Sequence, residues 1–138
     1  MLVLKEGSIF DSKCDVLVNP VNTVGVMGAG LALEFKKRKP LMFAKYLKAC
    51  REGFSVGQLL LVDGILCFPT KEDWRKKSKI EYIEAGLVKF VDTYKEKGIK
   101  SIAFPLLGCG LGGLDADEVL ALMRKYLSLD DLEVEIYV

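Results

Sequence analysis

The chain of 138 residues contains no histidine. That absence removes Ser-His and Cys-His nucleophile pairs, and most zinc sites, in one stroke. No Cys-x-x-Cys pair occurs among its cysteines, and Cys14, Cys50, Cys67 and Cys109 stand far apart. They read as reduced, mostly buried thiols of a cytosolic protein. No apolar run is long enough to cross a bilayer, and no basic segment followed by an apolar signal core opens the chain. The expectation is a soluble, cytoplasmic protein with no membrane association. Excess charge of one sign is also missing. A net charge of +1 argues against a strongly basic nucleic-acid coat, so any such binding must be local. There is no Walker A pattern, no acidic pair arranged as a glycosidase dyad, no internal repeat and no low-complexity linker.

What is present is 51 % hydrophobic residues, enough for one domain with a real core. Met1 to Leu4 reads as a short strand, followed by a turn at Gly7-Ser8-Ile9-Phe10. Val16 to Val18 reads as a buried strand, leading through Asn19 and Asn22 into a loop with Gly25, Gly28 and Gly30. A helix is expected from about Gly30 to Arg38, with Glu34 set to pair with Arg38. Pro40 ends it and starts a second helix, on which Phe43, Leu47 and Cys50 share a face. Asp63-Gly64 between two apolar runs, Gln58–Val62 and Ile65–Phe68, signals a hairpin. Ile80 to Lys97 is plainly helical, with Ile80, Ile83, Leu87, Phe90, Val91 and Tyr94 in one stripe and Gly98 as its stop. Ile99 to Phe104 reads as a strand covered on both faces. After a second glycine loop, Asp115 with Glu118 caps a helix to about Leu127, and Leu132 to Val138 alternates as the last strand. Strands alternating with helices define an α/β fold, and two glycine loops between strand and helix suggest a ligand crevice at the strand ends.

The first glycine loop delivers flexible backbone next to a helix N-terminus, which suits a ribose-phosphate ligand; a tight turn without a ligand is the alternative. The second, Gly108-Cys109-Gly110-Leu111-Gly112-Gly113, matches G-x-G-x-x-G literally. It lacks the following acidic strand of a dinucleotide-binding unit. Its successive N–H groups can form an anion nest, so a pyrophosphate between the two loops is the expected occupant. Asn22 has two readings, as a partner for a sugar hydroxyl or as a cap on its own turn. Lys71 follows an apolar strand at Phe68-Pro69-Thr70. It is either an amine nucleophile for a sugar carbonyl or an ordinary solvated lysine among Arg75, Lys76, Lys77 and Lys79. Trp74, the only tryptophan, sits among these cations. It either stacks a base of a single strand whose phosphates meet Arg75 and Lys76, or plugs the edge of the core.

The order of the pieces resembles the macrodomain family. The stretches that carry the likeness are Val18-Asn19-Pro20-Val21-Asn22 through Ala32 with Glu34-Phe35-Lys36, and Pro105 through Leu114. Phe68-Pro69-Thr70-Lys71 with Trp74-Arg75, then Ile80 through Leu87, is similar to its DarG branch. The resemblance implies a mixed central sheet of about six strands between helices, a single macrodomain over 1–138 (stand-alone or excised from a longer chain), and ADP-ribose as ligand. DarG proteins are antitoxins of DarT, a toxin that attaches ADP-ribose to thymidine in single-stranded DNA, and their macrodomain removes that group. The resemblance therefore also implies a DNA ADP-ribosyl glycohydrolase with no cofactor and no metal, a DarT-type toxin as partner, and a monomeric state.

By the same resemblance Lys71 is the catalytic lysine, shared with the ALC-like class, and Asn22 contacts the distal ribose. Ser8 and Ile9 lie near adenine, Pro20, Val21, Gly28, Gly30 and Leu31 line the ligand, and Gly108, Cys109, Gly110, Leu111 and Gly112 cover the phosphates. Trp74, Arg75 and Lys76 hold the DNA. Two departures stand out: Ser8 replaces the usual Asp beside adenine, and Gly112 stands where ALC-like relatives carry an Asp. A non-catalytic ADP-ribose-binding module and a hydrolase of ADP-ribosylated protein are the rival readings.

Overall fold

A computed structural model describes all residues, 1–138. One mixed sheet runs through the molecule in the order β1-β6-β5-β2-β4-β3. Its strands are β1 (Leu2–Lys5), β2 (Val16–Val21), β3 (Leu60–Val62), β4 (Ile65–Pro69), β5 (Ser101–Pro105) and β6 (Glu133–Tyr137). All neighbours are parallel except β3, which returns antiparallel on β4. Asp63 and Gly64, at φ +53° and +73°, make that hairpin turn, the conformation in which a tight turn matches the twist of its strands.

Four helices cover the sheet: α1 (Gly30–Arg38), α2 (Pro40–Arg51), α3 (Ile80–Thr93) and α4 (Ala116–Leu127). Two apolar cores result. Phe68, Ile83, Leu87, Phe90 and Phe104 are fully buried in the larger, under α3 and α4. Met27, Phe35, Met42 and Tyr46 are buried in the smaller, under α1 and α2. Each such side chain contributes about 2 kcal/mol when removed from water. No helix is long and apolar enough to cross a membrane.

Several boundaries differ from the sequence reading. β2 continues past Val18 through Asn19 and Pro20 to Val21. Asn19 is fully buried there; its Nδ2 meets the Met27 and Met42 sulfurs at 3.7 and 3.9 Å, and its Oδ1 has no partner. The inward face of α2 centres on Met42 and Tyr46, leaving Phe43, Leu47 and Cys50 half-buried at its flank. Helix α3 stops at Thr93, and Tyr94 to Gly98 close it in turns, with the Ile99 N–H donating to the Tyr94 carbonyl at 3.0 Å. Of the cysteines only Cys67 is buried, its thiol pushed up to about 12 by burial; the other three are half-buried and all are free.

The sheet also explains where a crevice forms. β2 sends its connection to α1 on one face, and β5 sends its connection to α4 on the other. Adjacent parallel strands that part in this way leave a crevice at their carboxyl ends. Here the two strands pair only at Val16–Ile102 and Leu17–Ala103, although β2 runs on to Val21 and β5 to Pro105. Pro20 and Pro105 stand on the diverging ends. Neither has an N–H to extend the ladder.

Candidate active site

A cavity of about 530 Å³ opens where β2 and β5 separate. Pro20 and Val21 of β2, with Asn22 just beyond it, form its floor, while Gly28 to Ala32 close one side. Gly108, Gly110, Leu111 and Gly112 close the other, and Thr70, Lys71 and Trp74 enter from the segment after β4. Lys71 is the only charged residue in the lining, and no carboxylate lines the cavity. Lys71 is half-buried and makes no ion pair or side-chain hydrogen bond.

The backbone adds donors. Helix α1 begins without a side-chain cap, and Leu33 is its first residue whose N–H finds a carbonyl, that of Ala29 at 3.3 Å. The N–H groups of Gly30, Leu31 and Ala32 are therefore free at the positive end of the helix. Across the cavity, the N–H groups of residues 108–112 donate to no carbonyl of the protein, while the loop closes on itself through Leu114 N–H to Gly108 O at 2.9 Å. Two banks of unpaired donors on a cavity whose one charged residue is a lysine suit an anion.

Asn22 acts first as the pin of its own loop. Its Oδ1 accepts from Val24 N–H at 3.1 Å, Val26 N–H at 3.3 Å and the Tyr46 hydroxyl at 2.8 Å, and its Nδ2 donates to Val26 O at 2.7 Å. The turn-capping reading is thus met, and one Nδ2 hydrogen is left for a ligand. Tyr46, fully buried below, also donates to the Asn22 carbonyl at 2.9 Å, and burial holds its phenol far above the usual range.

Other expected site residues fall outside the lining. Ile9 is buried in the smaller core because it anchors a short 3₁₀ turn, Ile9–Asp11. Ser8 is exposed, and its hydroxyl accepts from Phe10 N–H at 3.2 Å, capping that turn. Cys109 packs against the larger core with its Sγ near the Leu107 carbonyl, while burial raises its thiol. Arg75 has its guanidinium fork committed to Asp73, at 2.9 and 2.7 Å, which holds that carboxyl well below the usual range. Lys76 is exposed beside it. Trp74 does line the cavity and remains 53 % exposed, with the Arg75 cation 5.5 Å from its ring.

The sequence reading missed Val26, Ala29, Ala32, Thr70, Pro105 and Leu106 in the lining, and Tyr46 beneath it. Position after a strand is a usable signal for Thr70 and Leu106. Nothing local marks Tyr46, whose partner lies 24 residues away.

A macro domain family model matches residues 18–123. The DNA ADP-ribosyl glycohydrolase of Mycobacterium tuberculosis is 42 % identical over 147 residues, covering 99 % of this chain and 42 % of that protein. This chain thus spans well under half the length of the curated relatives it matches. The macrodomain of Thermus aquaticus DarG superposes with a TM-score of 0.94 at 40 % identity, covering 100 % of this chain and 98 % of that one. Thermosipho africanus DarTG, solved in complex with ADP-ribose, superposes with a TM-score of 0.92 at 40 % identity, over 99 % of this chain and 41 % of that one. The mixed six-stranded sheet, the crevice between β2 and β5 and these likenesses agree: the chain belongs to the macro domain family, on its DarG branch.

Proposed function

We propose that this chain is a DNA ADP-ribosyl glycohydrolase, which removes ADP-ribose from thymidine in single-stranded DNA and counteracts a DarT-type toxin in the cytoplasm. The observation that carries the reading is Lys71, the one charged residue on the cavity and an amine with no ion pair or hydrogen bond of its own. The likeness to relatives named for this activity supplies the substrate class.

In this reading the two banks of N–H groups hold the pyrophosphate and the remaining Asn22 N–H meets a hydroxyl of the distal ribose. The Lys71 amine attacks the anomeric carbon, the bond to the base breaks, and the base leaves with the proton that the amine gives up. The sugar ring then opens to an imine on Lys71. Water adds to the imine carbon, the carbon–nitrogen bond breaks, and ADP-ribose departs with its anomeric hydroxyl while the amine is regenerated. Trp74 at the mouth offers an aromatic face to a neighbouring base.

The test is release of ADP-ribose from an oligonucleotide modified on thymidine, with the wild type and Lys71→Ala side by side. Cleavage by the wild type, and binding without cleavage by the variant, is expected. Binding by both with cleavage by neither would make the domain a reader of ADP-ribose. Cleavage by both would remove Lys71 from the mechanism.

A further inference from the structure

A lysine side chain with no ion pair or hydrogen bond has no polar contact to fix it, and ordering its rotatable bonds costs conformational entropy. Whatever places the Lys71 amine must therefore act on its backbone. The residues on either side of Lys71 are both tied to the Asn22 loop. Before it, Thr70 N–H donates to Val21 O at 2.8 Å. After it, the Glu72 carbonyl accepts twice from one residue, from Thr23 N–H at 3.1 Å and from Thr23 Oγ1 at 3.0 Å. These bonds continue the β2–β4 ladder beyond the last paired residues, Val21 and Pro69. The Glu72 carboxylate is held separately, by the Tyr82 hydroxyl from the first turn of α3. The far end of the segment is tied to the other side of the cavity by Ser78 N–H donating to Gly112 O at 3.0 Å.

We propose that Thr23 is a positioning residue for Lys71: its paired donation to the Glu72 carbonyl fixes the backbone from which the amine reaches the anomeric carbon. The inference rests on the lysine mechanism above, and it assigns a role to a side chain outside the cavity lining. Thr23→Val keeps the branched shape and the N–H but removes the hydroxyl donor. Misplacement of a reacting group by about an ångström lowers rates steeply while leaving binding by the rest of the site intact.

The experiment uses free ADP-ribose, whose sugar opens to an aldehyde. Lys71 Nζ adds to that carbon, water leaves to give the imine, and cyanoborohydride delivers hydride, with a proton from water, to give a secondary amine. The adduct is read by mass spectrometry after digestion. Thr23→Val is expected to trap about tenfold more slowly than the wild type, with the Kd for ADP-ribose unchanged, and Thr23→Ser is expected to trap at the wild-type rate. Tyr82→Phe, which frees the other anchor of Glu72, is expected to slow trapping as well and serves if Thr23→Val does not fold. Trapping at the wild-type rate in both variants overturns the proposal while leaving the lysine mechanism standing. So does a loss of ADP-ribose binding equal to the loss of trapping, or a Thr23→Ser variant as slow as Thr23→Val. Absence of any Lys71 adduct in the wild type overturns the mechanism itself, and the positioning role with it.

Discussion

Gly86 lies in the middle of α3, where a glycine weakens a helix, and the reason for it is the ring of Phe68. A Cβ at position 86 would sit 2.9 Å from Phe68 Cε2 and nearer still to Cε1 and Cζ. The ring has no free space to enter. Phe68 is fully buried and meets Phe104 edge-on at 6.5 Å, and Phe104 in turn meets Phe90 at 5.6 Å. Alanine in place of glycine gains about 1 kcal/mol of helix propensity. Forcing an extra carbon into a filled core costs about 3 kcal/mol, the upper end for overpacking, because the obstruction is a ring and not a flexible chain end. Gly86→Ala should therefore lose about 2 kcal/mol net, which lowers the Tm of a domain this size by about 6–10 °C. Urea and thermal unfolding both read this. Phe68→Leu makes room at the same spot, so adding Gly86→Ala to Phe68→Leu should cost far less than adding it to the wild type. A Gly86→Ala variant as stable as the wild type, or strictly additive effects in the double variant, would refute the steric argument.

A Cβ on Gly112 would run into the Gly108 carbonyl and the buried Ser78 hydroxyl, so Gly112→Ala must open the loop and loosen the Ser78–Gly112 tie; ADP-ribose affinity should fall about tenfold or more by calorimetry, with little change in Tm. In the middle of β6, the Glu135 carboxyl is held below its ordinary value by the Ser12 hydroxyl at 2.6 Å, with Tyr137 and Lys5 assisting. A depressed acid stabilises the fold above its unfolded value of 4.5 and loses that contribution as pH falls through the folded value. Glu135→Gln should flatten the fall of Tm below about pH 4.5; an unchanged slope would place the acid sensitivity elsewhere.

Most of the architecture was legible because its signals are local. Pro40 marked the α1–α2 junction, Asp63-Gly64 the hairpin, and Asp115 the start of α4, where its carboxylate accepts from Glu118 N–H at 3.0 Å. The glycine loops and Lys71 announced the cavity, since each follows a strand. What escaped were relations between distant segments. Asn19 and Pro20 look unsuited to a central strand, yet β2 holds them because β4 pairs along its full length. A local relation escaped as well: the Arg75 guanidinium, expected on a phosphate, pairs with Asp73 two positions away, while the Ile9 side chain, expected near adenine, packs in the core. Tyr46 under Asn22 and Thr23 on Glu72 depend on the folded arrangement of loops and have no periodicity to betray them.

The short pairing of β2 with β5 has a thermodynamic consequence. With rungs only at Val16–Ile102 and Leu17–Ala103, the half of the sheet made of β1, β6 and β5 is zipped to the half made of β2, β4 and β3 at one end alone. A ligand seated as proposed, between the free N–H groups of Gly30–Ala32 and those of residues 108–112, would span the unzipped end and act as the missing rungs. Binding and the cohesion of the two halves are then one equilibrium. If ADP-ribose is that ligand, a hundred times its Kd should raise global stability by about 2.7 kcal/mol. The slowing of amide exchange should concentrate at the carboxyl ends of β2 and β5, where the protein by itself leaves the sheet open.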